Sequence, residues 1–113
     1  MKIKYAERYE AVVIELKGNV MGGDDTKEFN ELLHKVIDEG KKHVVIDLSD
    51  VKFMNSSGIG MLISGLTTMK KAEGAMKLSG VTEKIHSLLV ITKLITIFET
   101  FDTNEKAIES FSK

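Results

Sequence analysis

An unbroken apolar run, Val44-Val45-Ile46, is followed by a largely polar stretch from Asp47 to Asn55 and then by Ile59, Leu62, Ile63 and Leu66 at helical spacing. A continuous apolar run marks a strand buried on both faces, and a recurrence of three and four marks the inward stripe of a helix. The segment from Asp47 to Gly60 is therefore a strand-to-helix junction, and its strand belongs at the centre of a sheet. Ser56 and Ser57 fall where the first free backbone N–H groups of that helix point. That position suits a capping hydroxyl and also an added phosphate, and local sequence alone favours the cap.

The flanking segments supply the rest of an α/β pattern. Ile3 and Tyr5 alternate with lysines, and Val12, Ile14 and Leu16 continue a period of two, which predicts two strands joined by a tight turn over 2–17. The segment from Gly18 to Asp25 is rich in glycine and predicts an exposed loop in which an aspartate caps the following helix. Phe29, Leu32, Leu33, Val36 and Ile37 form one helical face that ends near Gly40, with Lys41 and Lys42 beside the negative end of its dipole. A strand from His43 to Leu48 comes next, followed by a helix from about Gly58 to Glu73 stopped by Gly74.

Ala75 to Ser79 reads as a short strand, and Thr82 can cap a third helix carrying Ile85, Leu88 and Leu89 on one face. Ile95-Thr96-Ile97-Phe98 reads as a strand, with the helix ending about Thr92 to Leu94. A last helix opens at Asp102 or Thr103 and offers Ala107, Ile108 and Phe111 for packing. The order ββαβαβαβα predicts a mixed sheet whose parallel part is built by right-handed crossovers.

Length and charge set the limits on function. The 113 residues suffice for one core, so a single domain over 1–113 is expected. Sixteen basic and seventeen acidic residues leave a net charge of −1, which gives no long-range field to recruit nucleic acid or an anionic membrane. The absence of cysteine excludes disulfides and thiolate chemistry. The N-terminal residues lack the apolar core of a signal peptide, and no stretch is apolar enough to span a bilayer, so a cytoplasmic setting without membrane insertion is expected.

Little points to catalysis or cofactors. His34, His43 and His86 lie on separate predicted elements without metal-ligand spacing, so no metal site is expected. Asp24-Asp25 and Asp47/Asp50 lie beside turns and helix starts, where aspartate serves local hydrogen bonding. Gly58-Ile59-Gly60 lacks the spacing of a nucleotide-binding loop, and Ser56 lacks the flanking glycines of a hydrolase elbow. The expected molecule has no catalytic residue, metal or cofactor.

The stretch Ile46-Asp47-Leu48-Ser49-Asp50-Val51-Lys52-Phe53-Met54-Asn55-Ser56-Ser57-Gly58-Ile59-Gly60 resembles the signature of the STAS domain, named for sulfate transporters and anti-sigma factor antagonists. The resemblance covers nearly the whole chain in its order of elements. It implies a STAS-like mixed sheet and a binding module that is a monomer or weak homodimer. The implied partner is an anti-sigma factor with serine kinase activity, bound by the unphosphorylated form and released on phosphorylation of Ser56. The implied partner-facing residues are Asn55, Ser57 and Gly58, together with Met21 and Asp24 of the glycine-rich loop.

Asn55 stands where the family has aspartate, which removes a negative charge beside the acceptor. Where the family often has an acidic residue soon after the glycine, Gly18 is followed by Asn19-Val20-Met21-Gly22-Gly23 before Asp24. Met54 and Met61 are expected either to join Met21 in an adaptable thioether patch or to pack in the core. The alternative reading is a non-switching STAS subunit of a sensory assembly or of a lipid or anion transport system, in which Ser56 is only a helix cap.

Overall fold

The computed structural model describes residues 1–112. Its order is β1 (Lys2–Arg8), β2 (Ala11–Val20), α1 (Asp24–Asp38), β3 (His43–Met54), α2 (Ser56–Lys71), β4 (Ala75–Ser79), α3 (Glu83–Ile91), a 3-10 turn (Leu94–Thr96), β5 (Thr100–Phe101) and α4 (Asn104–Ser110). The five strands line up as β1-β2-β3-β4-β5. The β1–β2 hairpin is antiparallel and every later pairing is parallel.

This simple strand order decides where the helices go. Three successive crossovers that all step the same way along a sheet, each right-handed, must pass over the same face. The helices α1, α2 and α3 accordingly share one core with the sheet, in which Phe29, Leu33, Leu62, Met69 and Leu89 meet Ile14, Leu16, Val44 and Ile46. Side chains alternate along a strand, so Val13 and Val45 point the other way. There they meet Ala107 of α4, with Phe101, Ile108 and Phe111 around them. Val44, Val45 and Ile46 are fully buried, which makes β3 the strand covered on both sides that its apolar run predicts.

Two boundaries differ from the expectation. The first is Ile95 to Phe98, which is not a strand. Lys93 takes a left-handed backbone (φ 64), the chain closes a 3-10 turn at Leu94–Thr96, and Phe98 turns into the main core. Only Thr100 and Phe101 reach β4, opposite Leu78 and Ser79. The second is the glycine-rich segment, which is shorter as a loop than its composition suggests. Gly18, Asn19 and Val20 continue β2 and pair with Val51, Phe53 and Met54, and two register shifts absorb the irregular spacing. The polar half of β3 is therefore strand, carried beyond the last residue that pairs with β4. The predicted aspartate cap of α1 is also absent: Gly23 occupies the cap position, and Asp24 and Asp25 lie in the first turn, where negative charge favours the helix dipole.

The helix α4 is fastened across the second sheet face by polar contacts. The Asp47 carboxylate accepts from the Ser49 N–H at 2.9 Å and the Ser49 hydroxyl at 2.7 Å on one oxygen, and from the Asn104 side-chain amide at 3.0 Å on the other. The Ser79 hydroxyl donates to the same Asn104. At the far end of α4 the nearly buried Lys77 ammonium donates to the Ser110 hydroxyl at 2.7 Å, pairs with Glu99 at 3.3 Å and lies over the rings of Phe101 and Phe111. Burial alone would push the Asp47 carboxyl up, but the bonds from Ser49 and Asn104 and the charge of Lys17 outweigh it and hold it below its ordinary 3.8.

A carboxyl depressed in the folded state contributes stability that is complete above its unfolded value and is lost as pH falls through its folded value. Asp47→Asn should therefore lower stability near neutrality and weaken the pH dependence below about pH 4. Urea unfolding followed across an acid pH series checks both effects.

Candidate functional site

The junction between β3 and α2 is built by backbone geometry before any side chain acts. Val20 and Met54 end the paired extensions of β2 and β3, and the Asn55 N–H donates to the Val20 carbonyl at 3.3 Å. Asn55 is extended (φ −96, ψ −178), and its side-chain oxygen accepts from the Gly58 N–H at 2.8 Å. It is thus the N-cap of α2, and its own carbonyl accepts the first helical bond from Ile59 at 3.0 Å. The expectation that Ser56 or Ser57 caps this helix is corrected: the cap lies one residue earlier, and both serines sit in the first turn with exposed side chains.

Two glycines make the close approaches here. A Cβ on Gly58 would collide with the Val20 carbonyl oxygen and lie 2.9 Å from Met54 Cγ. A Cβ on Gly22, whose φ of +79 already disfavours other residues, would come within 2.6 Å of the Ser57 Cβ. The remaining loop, from Met21 to Gly23, therefore rests against the first turn of α2 beside Ser57. Among the described residues neither serine hydroxyl is engaged in a side-chain hydrogen bond, and the first turn of α2 holds no acidic residue. An anion on Ser56 would meet the positive end of the helix and its unpaired N–H groups.

The residues singled out from sequence separate into groups. Asn55, Ser56, Ser57 and Gly58 form one continuous turn, Met21 is 45% exposed in the adjoining loop, and Asp24 is exposed at the start of α1. Met54 and Met61 are buried in the main core, so of the two outcomes held open for them, packing is the one observed. Sequence reasoning passed over Phe53. It is 40% exposed on the strand just before the turn, and the Lys84 ammonium of α3 lies 5.3 Å from its ring centroid. Its signal was the run Val51-Lys52-Phe53-Met54, in which the register shifts put Val51 and Met54 inside and leave Phe53 outside.

Asp47 lies in the clasp of α4 rather than beside the serines. His43 stacks on Phe111 with ring centroids 4.5 Å apart, whereas His34 and His86 are exposed. Among the described residues no three His, Cys, Asp or Glu side chains are grouped to hold a metal ion.

These features define a small α/β domain that presents a serine-bearing helix start at the tip of its central strand. A family model described as the STAS domain matches residues 2–107, and the chain belongs to the STAS domain family. The anti-sigma F factor antagonist of Paenibacillus polymyxa is 28% identical over 67 residues, which are 59% of this chain and 57% of that protein. The chain thus spans little more than half the length of that relative.

Solved structures share the fold at lower identity. A candidate anti-sigma factor antagonist from Thermotoga maritima superposes with a TM-score of 0.87 at 20% identity, covering 98% of this chain and 95% of that one. The Bacillus cell fate determinant SpoIIAA in its phosphorylated form gives 0.75 at 19% identity, covering 97% and 99%. No helix among the described residues is long and apolar enough to cross a membrane.

Asn55→Ala should cost about 0.5–2 kcal/mol of stability through the lost cap, whereas Asn55→Asp should keep the cap. Chemical denaturation of the two variants side by side checks the assignment. Gly58→Ala should cost more than Asn55→Ala, because a main-chain carbonyl has to move to admit the methyl group.

Proposed function

We propose that this chain is an anti-sigma factor antagonist, a non-enzymatic binding module in the cytoplasm that is switched by phosphorylation of Ser56. Its partner is an anti-sigma factor with serine kinase activity. The unphosphorylated chain occupies the anti-sigma factor and frees the sigma factor, and the phosphorylated chain does not bind. Antagonist relatives across the family, together with a fold neighbour solved in a phosphorylated form, support this reading.

The observation that carries it is the division of labour at the junction. Asn55 takes the capping role, which leaves Ser56 exposed and chemically uncommitted at the positive end of α2. Asn55 accepts the same bond that an aspartate would and adds no charge beside the acceptor. A phosphate on Ser56 adds about −1.5 to −2 charges to a neutral turn, so it alters the partner-facing surface without requiring the fold to change. Ser57 and Gly58 shape the turn, and Met21, Asp24 and the newly recognised Phe53 border it.

Because Ser56 is not the cap, Ser56→Ala should leave stability within about 0.5 kcal/mol of the parent chain and preserve partner binding. Ser56→Asp should keep or slightly raise stability, by placing a negative charge in the first turn, and should abolish binding. Mass spectrometry after incubation with the cognate kinase and ATP should place one phosphate on Ser56. A chain that binds the kinase and is never modified there overturns the switch.

A further inference from the structure

At the opposite end of β3 from Ser56, a surface cleft of about 570 Å³ opens between the β1–β2 turn and the C-terminal end of α4. Ala11 and Ile108 contribute apolar lining, and Tyr9, Glu10 and Glu109 contribute one aromatic ring and two carboxylates. The other aromatic rings there are already used. His43 stacks on Phe111 at 4.5 Å with the ring planes 9° apart, and the Lys77 ammonium lies 4.5 Å from the Phe111 centroid. Tyr9 instead is 85% exposed, so its ring is the free aromatic surface. A third carboxylate, Glu105, is held by Arg8 at 3.5 Å, whereas Glu10 and Glu109 are in no ion pair among the described residues.

The backbone of Tyr9 is the second feature of this place. Arg8 and Ala11 are directly paired, so Tyr9 and Glu10 alone make the hairpin turn, and Tyr9 takes φ 61. Two-residue hairpin turns favour Gly, Asn or Asp at a left-handed position, and a bulky aromatic there is strained. The chain thus keeps a solvent-exposed ring at a position where folding would prefer a small polar residue, and the ring borders an acidic cleft.

We propose that this cleft binds an arginine side chain presented by a partner protein, with the guanidinium stacked on Tyr9 and held by Glu10 and Glu109. Arginine fits better than lysine because its planar, weakly hydrated head can stack on an aromatic face and donate two parallel hydrogen bonds to a carboxylate. Net negative charge at the rim and an apolar floor suit the cationic head and the aliphatic stem respectively. This surface is independent of the phosphorylation proposed for Ser56 and stands or falls separately.

The test uses the full chain, isotopically labelled and titrated by NMR with acetyl-Gly-Arg-Gly-amide, and with the lysine and citrulline versions of the same peptide. Saturable shifts at Tyr9, Ala11, His43 and Ile108 are expected with the arginine peptide, weaker ones with lysine and none with citrulline. Tyr9→Asn removes the ring and relieves the backbone strain together. It should raise the melting temperature and weaken arginine-peptide binding roughly two- to fivefold, the loss of one cation–π contact. The double variant E10Q/E109Q should weaken binding further while leaving the fold intact. No saturable shift with the arginine peptide, equal shifts with citrulline, or undiminished binding by Tyr9→Asn would each overturn the proposal.

Discussion

The architecture depends on burying both faces of one strand. Val44, Val45 and Ile46 leave no side of β3 for solvent, so the chain must supply cover twice. It does so unequally. Three crossover helices form the larger core, and on the other face a single short helix is held by Ala107 and by polar contacts at its two ends. The second core is small, and the charged groups Asp47 and Lys77 add polar contacts to α4 from half-buried and buried places. Each is supplied with hydrogen bonds or an ion pair, as a buried charge has to be.

The same strand sets where the conspicuous polar residues appear. Beyond the residues that pair with β4, β3 runs on with only β2 beside it, and it ends at Asn55. That extension carries the helix start away from the bulk of the sheet, with Met21 exposed just past the end of β2 and Phe53 exposed near the end of β3. The sequence signature around Ser56 is thus two things at once. Its apolar members close the core, and its polar members form a turn on which Ser56 and Ser57 are exposed.

Most of the element order was legible because period and punctuation agreed. The apolar stripe of α1, the double burial of β3 and the caps at Thr82 and Thr103 follow rules that involve only neighbouring residues. The failures lie where distant residues decided the outcome. Ile95 to Phe98 has strand composition, but the left-handed Lys93 turns the chain and Phe98 is drawn into the core, so only Thr100 and Phe101 pair with β4. Gly18 and Asn19 have loop composition, yet they pair with β3 because register shifts accommodate them. The cap at Asn55 was misassigned to its serine neighbours because asparagine and serine are both good caps. Only the position of Val20 opposite Met54 fixes which one stands outside the helix.

The closeness of Gly58 to the Val20 carbonyl bears on how information can leave this junction. With main chain against main chain, no side chain fits between the start of α2 and the end of β2. A charge added at the exposed serines would therefore change the surface of this turn and not the packing beneath it.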